Sequence, residues 1–161
     1  MNKLNLADIP TEHRISPKGA FELHRQHISL ALGGLKDKGP WGGGHPFDIE
    51  RTQLPPGKRN FPMHSHAAQT EFYIILSGSG LLHHDQGEPQ RLVAGDHLIC
   101  HPGDAHQIEN DGSEMLTYYV ITDHHPADVG TYTRTGKRWL HPERRVVAAE
   151  DVGYYEGEEE S

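Results

Sequence analysis

Apolar and polar positions alternate in short bursts along this chain, a period-two pattern that predicts strands. Phe21-Glu22-Leu23-His24 alternates, and Ile28-Ser29-Leu30-Ala31-Leu32 continues the pattern, so strand is predicted over both. Phe47-Asp48-Ile49-Glu50 alternates again. Glu71 to Leu76 is β-branched and aromatic, apolar on both faces, and predicts a buried strand. Leu81 to His84, Gln90 to Ala94, His97 to His101, Gln107 to Asn110 and Met115 to Thr122 complete a run of short strands. Pro55-Pro56-Gly57, Gly78-Ser79-Gly80 and Asp85-Gln86-Gly87-Glu88-Pro89 break the run as turns. No stretch carries a long 3.6-residue apolar period. Short, regularly spaced strands predict an antiparallel sandwich or barrel. Residues 1 to about 20, around Pro10 and Pro17, read as an irregular arm, and residues 33–44 as a surface loop. Arg134 to Arg145 is basic, and the end from Tyr154 to Glu160 reads as an acidic, solvated tail unless its two tyrosines dock on the barrel.

A length of 161 residues suits one domain with a core that needs no disulfide support. Hydrophobic residues make up 34%, which with 18 glycines argues against disorder throughout. Cys100 is the single cysteine, so no intramolecular disulfide forms. The first residues hold no apolar run long enough for a signal peptide, and Phe72 to Leu76 is too short for a membrane span. The expectation is a soluble cytoplasmic protein. With 15 basic and 23 acidic residues the net charge is −8, which disfavours nucleic acid and anionic membrane as partners. The 14 histidines are scattered rather than gathered in a tag.

The histidines matter where they fall between Gly57 and Asn110. In a strand, residues i and i+2 share a face, so His64 and His66 present two imidazoles on one side. A short turn or bulge over residues 67–70 can return the Glu71 carboxylate to that face. His106 follows the Pro102-Gly103 turn and can approach from a neighbouring strand. Three neutral imidazoles and one carboxylate suit a divalent first-row metal, with positions left for water or substrate.

Residues 57–110 resemble the two sequence motifs of the cupin superfamily. Gly57 is followed by six residues, then His64-Ser65-His66, four residues, Glu71, six residues and Gly78. Gly95 is followed by five residues, then His101-Pro102-Gly103, two residues, His106, three residues and Asn110. One residue is extra before His64, and His101 replaces the usual first proline of the second motif; neither change falls on a ligand position. The resemblance implies an all-β double-stranded β-helix, or jelly-roll, barrel with irregular N- and C-terminal arms. It implies one cupin domain over residues 1–161, with a motif core at 57–110, an N-terminal arm of about 1–45 and a C-terminal extension of about 124–161. By the same resemblance His64, His66, Glu71 and His106 hold one divalent transition metal (Mn, Fe, Zn or Ni). A homodimer through the N-terminal strands, residues 20–32, is also implied. The remaining chain resembles small single-domain bacterial cupins of the sugar-phosphate isomerase type.

Other residues carry weaker signals. His101 lies two residues after Ile99 on one strand face, either as an acid or base pointing inward or as a rim histidine. Tyr73 shares parity with Glu71, so it lines the cavity and bonds substrate or ligand carboxylate, or is simply core. Alternation allows at most one of His83 and His84, and one of His124 and His125, to face a pocket. Cys100 reads as a small buried hydrophobe, and Gly42-Gly43-Gly44 lacks the following Lys-Ser/Thr of a P-loop. Lys58, Arg59 and Arg134 to Arg138 either meet an anionic substrate or are solvated. Three functions follow. The first is a metal-dependent enzyme on a small polar substrate, isomerase-like on a sugar phosphate. The second is an Fe(II)-dependent dioxygenase. The third is a non-catalytic cupin that binds a small ligand.

Overall fold

A computed structural model describes residues 1–141 and 143–158. Thirteen strands form among them: β1 (Glu12–Ile15), β2 (Glu22–His27), β3 (Asp48–Leu54), β4 (His64–His66), β5 (Glu71–Ser77), β6 (Ser79–His84), β7 (Gln90–Val93), β8 (His97–Cys100), β9 (His106–Glu109), β10 (Leu116–Thr122), β11 (Val129–Tyr132), β12 (Arg138–Leu140) and β13 (Arg145–Val147). They make two antiparallel sheets. One has the order β1-β2-β3-β10-β5-β8, the other β13-β12-β11-β4-β9-β6-β7. Consecutive strands repeatedly switch sheets, as a jelly roll requires. No described helix is long and apolar enough to cross a membrane.

The core lies between the sheets. Leu23, Leu54, Tyr73, Ile75, Leu92, Cys100, Ile108, Leu116 and Tyr118 form one buried cluster, with Phe61, Leu82, Leu98 and Val120 packed against it. Alternation decides who enters it. On β5, Tyr73 and Ile75 are buried while Leu76 is 40% exposed, so this strand is not buried on both faces as its composition suggests. In a two-layer fold only one face of each strand meets the opposite sheet.

Gly57, Gly78, Gly95 and Gly103 all have positive φ, so the motif glycines mark turns between strands. At Gly78 a side chain is doubly refused: φ is +79° and an added Cβ lands 2.5 Å from the Met115 carbonyl oxygen. Asn110 ties the same end of the fold together. Its Nδ2 donates to the Leu54 and Glu114 carbonyls at 2.7 Å, and its Oδ1 accepts from the Gly112 N–H at 3.0 Å. Its side chain is fully buried. Asn110→Ala is expected to destabilise the protein by about 3 kcal/mol, because the carbonyls it serves lose their donor in the interior. A lower urea midpoint at constant m-value checks this.

Both termini are more ordered than an irregular arm. Glu12–Ile15 pairs with β2, and residues beyond 124 supply β11, which pairs with β4, and then β12 and β13. Tyr154 and Tyr155 are exposed, 89% and 67%, rather than docked. The segment Ile28–Ala31 is a single helical turn, not a strand. The Gly33-Gly34 pair explains it: the Gly33 N–H donates to Leu30 O and the Gly34 N–H to Ser29 O, with Gly33 left-handed. Ser29 is buried there, and its hydroxyl accepts the Ile49 N–H at 2.7 Å. Within residues 20–32, β2 is paired on both edges, by β1 and β3, so the free edge of this sheet end belongs to β1.

Candidate metal centre

Four side chains from three strands and both sheets meet at one end of the core. His64 and His66 share a face of β4, and His64 stands directly opposite His106 in the β4–β9 register. The ring centroids of His64 lie 4.8 Å from His106 and 5.2 Å from His66. Glu71 opens β5 in the other sheet and is returned by the turn over residues 67–70. Two aspartates pin that turn. Asp128 Oδ1 accepts the Ala68 and Gln69 N–H groups at 2.9 and 3.1 Å, and Asp123 Oδ1 accepts the Thr70 N–H at 2.8 Å. Glu71 Oε2 then lies 2.8 Å from His106 Nε2, and Oε1 lies 3.6 Å from His66 Nε2. One ligand atom each from His64, His66 and Glu71 fall within 4.8 Å of one another.

The second nitrogen of each ring shows how the imidazoles are set. His64 Nδ1 lies 2.9 Å from Pro62 O, His66 Nδ1 2.7 Å from Asp128 Oδ2, and His106 Nδ1 3.1 Å from Asp104 O. Carbonyl and carboxylate oxygens only accept, so each Nδ1 carries the hydrogen. In the neutral ring, Nε2 then keeps its lone pair, the form a metal needs. Three Nε2 atoms and one carboxylate fit a divalent first-row ion.

Electrostatics agree with that donor set at His64 and Glu71, whereas His106 gives up a proton to join it. Burial, with His106 and His66 nearby, pushes His64 down to about 4, so it is neutral near pH 7. Burial alone raises a carboxyl, but the hydrogen bond and charge of His106 hold Glu71 far below the usual range. Burial also works against a charge on His106, yet its contacts with Cys100 and Glu71 push it up to about 11. A metal at Nε2 therefore displaces a proton. The Tyr73 hydroxyl donates to Glu71 Oε2 at 2.5 Å and lies 3.3 Å from His106 Nε2. Tyr73 is 3% exposed, so it orients the carboxylate from within the core.

Asp128 acts through His66. Burial raises a carboxyl, but the hydrogen bonds from His66 and the Ala68 and Gln69 N–H groups pull Asp128 down to about 2. The folded value lies below the ordinary 3.8, so its contribution to stability is present above pH 3.8 and is lost as pH falls through about 2. Asp128→Asn is expected to lower metal affinity by about 10–100-fold. It also removes this acid-sensitive part of the stability, which urea midpoints between pH 5 and 2 measure.

The centre opens into a cavity of about 320 Å³ between the sheets. Arg25, His27, Glu50, Phe61, Tyr118 and His124 contribute to its wall beside His64, His66, Glu71 and Tyr73.

A family model for the cupin domain matches residues 50–122. Residues 50–122 are a cupin domain. Solved structures with the same fold include a sugar phosphate isomerase from a cupin superfamily of Silicibacter pomeroyi, at 23% identity, a TM-score of 0.69 and 85% of each chain covered. A candidate sugar phosphate isomerase from Acidithiobacillus ferrooxidans is 28% identical over 88% of this chain and 85% of its own, with a TM-score of 0.66. A predicted oxalate decarboxylase from Thermotoga maritima is 25% identical over 77% of this chain and all of its own, with a TM-score of 0.62. No curated protein matches the sequence.

Placed on the cupin domain, the expected catalytic residues separate. Tyr73 lines the cavity. His101 does not: it is exposed on the loop after β8, its N–H held by Asp104 Oδ2 at 2.8 Å. The parity with Ile99 holds, but Ile99 is itself 48% exposed, so that face looks outward while Cys100 faces the core. Lys58 and Arg59 are taken up by Glu22 and Glu109, and the cations of the cavity wall are Arg14, Arg25, Lys36 and Arg144 instead. Of the His124-His125 pair, His124 lines the cavity and lies 2.6 Å from Asp48 while His125 is exposed.

Sequence reading misses a charged cluster in this wall. His27 Nε2 lies 2.7 Å from Glu12 and Nδ1 2.6 Å from Glu50. Arg25 bonds the same two carboxylates and lies over the Phe61 ring at 5.7 Å. The available signal is the charge at Arg25 and His27 within a strand pattern, since buried charges need partners.

Proposed function

We propose that this cupin domain holds one divalent first-row ion on His64, His66, Glu71 and His106 and interconverts the aldose and ketose forms of a small sugar phosphate. The observation that carries this reading is the setting of the three imidazoles. Each Nδ1 donates to a fixed oxygen, so three Nε2 atoms and the Glu71 carboxylate converge beside the cavity. The 28% identity to the Acidithiobacillus ferrooxidans protein supports the substrate class. When bound, the ion supplies Lewis-acid polarisation of a substrate carbonyl.

The chain's own groups do the rest. The Tyr73 hydroxyl and the Gln69 amide, 3.2 Å from Glu71 Oε1, hold the carboxylate in place. Arg14 and Lys36 give the wall cations for a phosphate, since Arg25 and Arg144 are held by Glu12, Glu50 and Asp37. Glu50 is the base of the wall: it takes the proton from the carbon beside the carbonyl and returns it to the neighbouring carbon, while His27, engaged at both ring nitrogens by Glu12 and Glu50, orients the Glu50 carboxylate. His27 is held above its ordinary value, mainly by its hydrogen bond to Glu50.

The test is a panel of aldose and ketose phosphates incubated in D2O with metal-loaded protein and followed by NMR. Interconversion with deuterium entering beside the carbonyl is the expected result. Glu50→Gln then lowers kcat by about 10²–10⁴-fold with metal content unchanged. A panel that stays unlabelled and unconverted overturns the reading. Oxygen uptake by an iron-loaded form would point instead to the dioxygenase.

A further inference from the structure

We propose that His13, Glu22 and His24 form a second transition-metal site, on the outer β1–β2 hairpin. It is separate from the cavity centre, since none of the three lines that cavity. The backbone builds it. His13 and His24 stand opposite each other in the antiparallel register, and Ile15 stands opposite Glu22. Glu22 and His24 are two apart on β2, so both share a face, and cross-strand pairing brings His13 to that face.

The side chains complete it. The two imidazoles are stacked with centroids 4.4 Å apart and planes 7° from parallel. His13 Nε2 lies 3.1 Å from Glu22 Oε1. One ligand atom from each residue falls within 4.8 Å of the others. Among the described residues no hydrogen bond occupies the His24 ring. Lys58 holds the other carboxylate oxygen at 3.2 Å and is itself fixed by the Gly19 carbonyl at 2.7 Å. Oε2 is thus engaged, and Oε1 stays turned to the imidazoles.

Two imidazoles and one carboxylate select a borderline ion such as Zn²⁺, Ni²⁺ or Cu²⁺ over Mg²⁺ or Ca²⁺. Three protein ligands leave the fourth tetrahedral position to water or an added donor. His13 is half exposed, so ions reach the site from solvent. Bound metal links β1 to β2. Because β1 is the outermost strand of its sheet, with β2 as its sheet neighbour, this link stiffens a free edge.

The experiment titrates Zn²⁺ into the metal-free full chain against a chromophoric chelator, beside His13→Asn/His24→Asn. The wild type is expected to take up two equivalents and the variant one, with the retained equivalent unchanged in affinity. Amide hydrogen exchange over residues 12–15 slows with Zn²⁺ in the wild type and not in the variant. The substituted residues lie on the hairpin surface, and circular dichroism of the variant verifies its fold. Equal stoichiometry and affinity in the two proteins, or Zn²⁺ uptake without slower exchange over residues 12–15, overturns the proposal. Loss of the cavity-centre ion in His64→Ala, with the hairpin equivalent kept, shows that the two sites are independent.

Discussion

Glu71→Gln is expected to weaken divalent-metal binding by at least about 100-fold, beyond the loss typical of a supporting residue. Glu71 is the only anion among the four proposed ligands. Without it, three neutral imidazoles face an ion that has lost its charge partner. The substitution also acts on the metal-free protein. His106 is held at about 11 against burial by its contacts with Cys100 and Glu71. A neutral amide removes the carboxylate, and burial then drives His106 down. Since the folded value in the wild type exceeds the unfolded one, that ion pair stabilises the metal-free fold below pH 6.5 and is lost as pH rises towards 11. The variant lacks this alkaline loss. Competition with a chelator measures the first effect, and histidine NMR titration of metal-free protein measures the second. An unchanged His106 titration contradicts the pairing.

Arg25→Met is expected to destabilise the fold by about 3–5 kcal/mol, the range for removing one partner from a buried ion pair. Arg25 is 8% exposed. Its Nη2 and Nε bond Glu12 at 2.8 and 3.2 Å, and its Nη1 bonds Glu50 at 3.2 Å. Without the guanidinium, Glu12 and Glu50 are left with His27 as the partner they share. Glu12 is partly open to water, which places the effect towards the low end of the range. Glu50→Gln in the Arg25→Met background recovers part of the loss, because it removes the stranded charge, and a double-mutant cycle reads that coupling. Additive effects of the two substitutions contradict the cluster.

The convergence of His64, His66, Glu71 and His106 is legible in the sequence because it rests on local rules. Strand parity places His64 beside His66, and a four-residue turn returns Glu71. What parity cannot supply is which face of a strand looks inward. His101 fails on that point: it shares a face with Ile99, and that face is the outer one. Asp128 escapes sequence reading for a different reason. It reaches His66 across 62 positions, and only the pairing of β11 with β4 brings it there. The Arg25 and His27 cluster likewise depends on β1, β2 and β3 lying side by side. Ile28–Ala31 shows local chemistry overruling a pattern: Gly33-Gly34 ends a helical turn where alternation predicts strand.

The central claim is the four-residue metal centre, and elemental mass spectrometry of desalted protein tests it most directly. One tightly retained equivalent of manganese, iron, zinc or nickel is expected in the wild type, and it is absent from a folded His64→Ala/His106→Ala variant. A wild type that retains no ion after reloading, or a variant that retains the same amount, contradicts the centre.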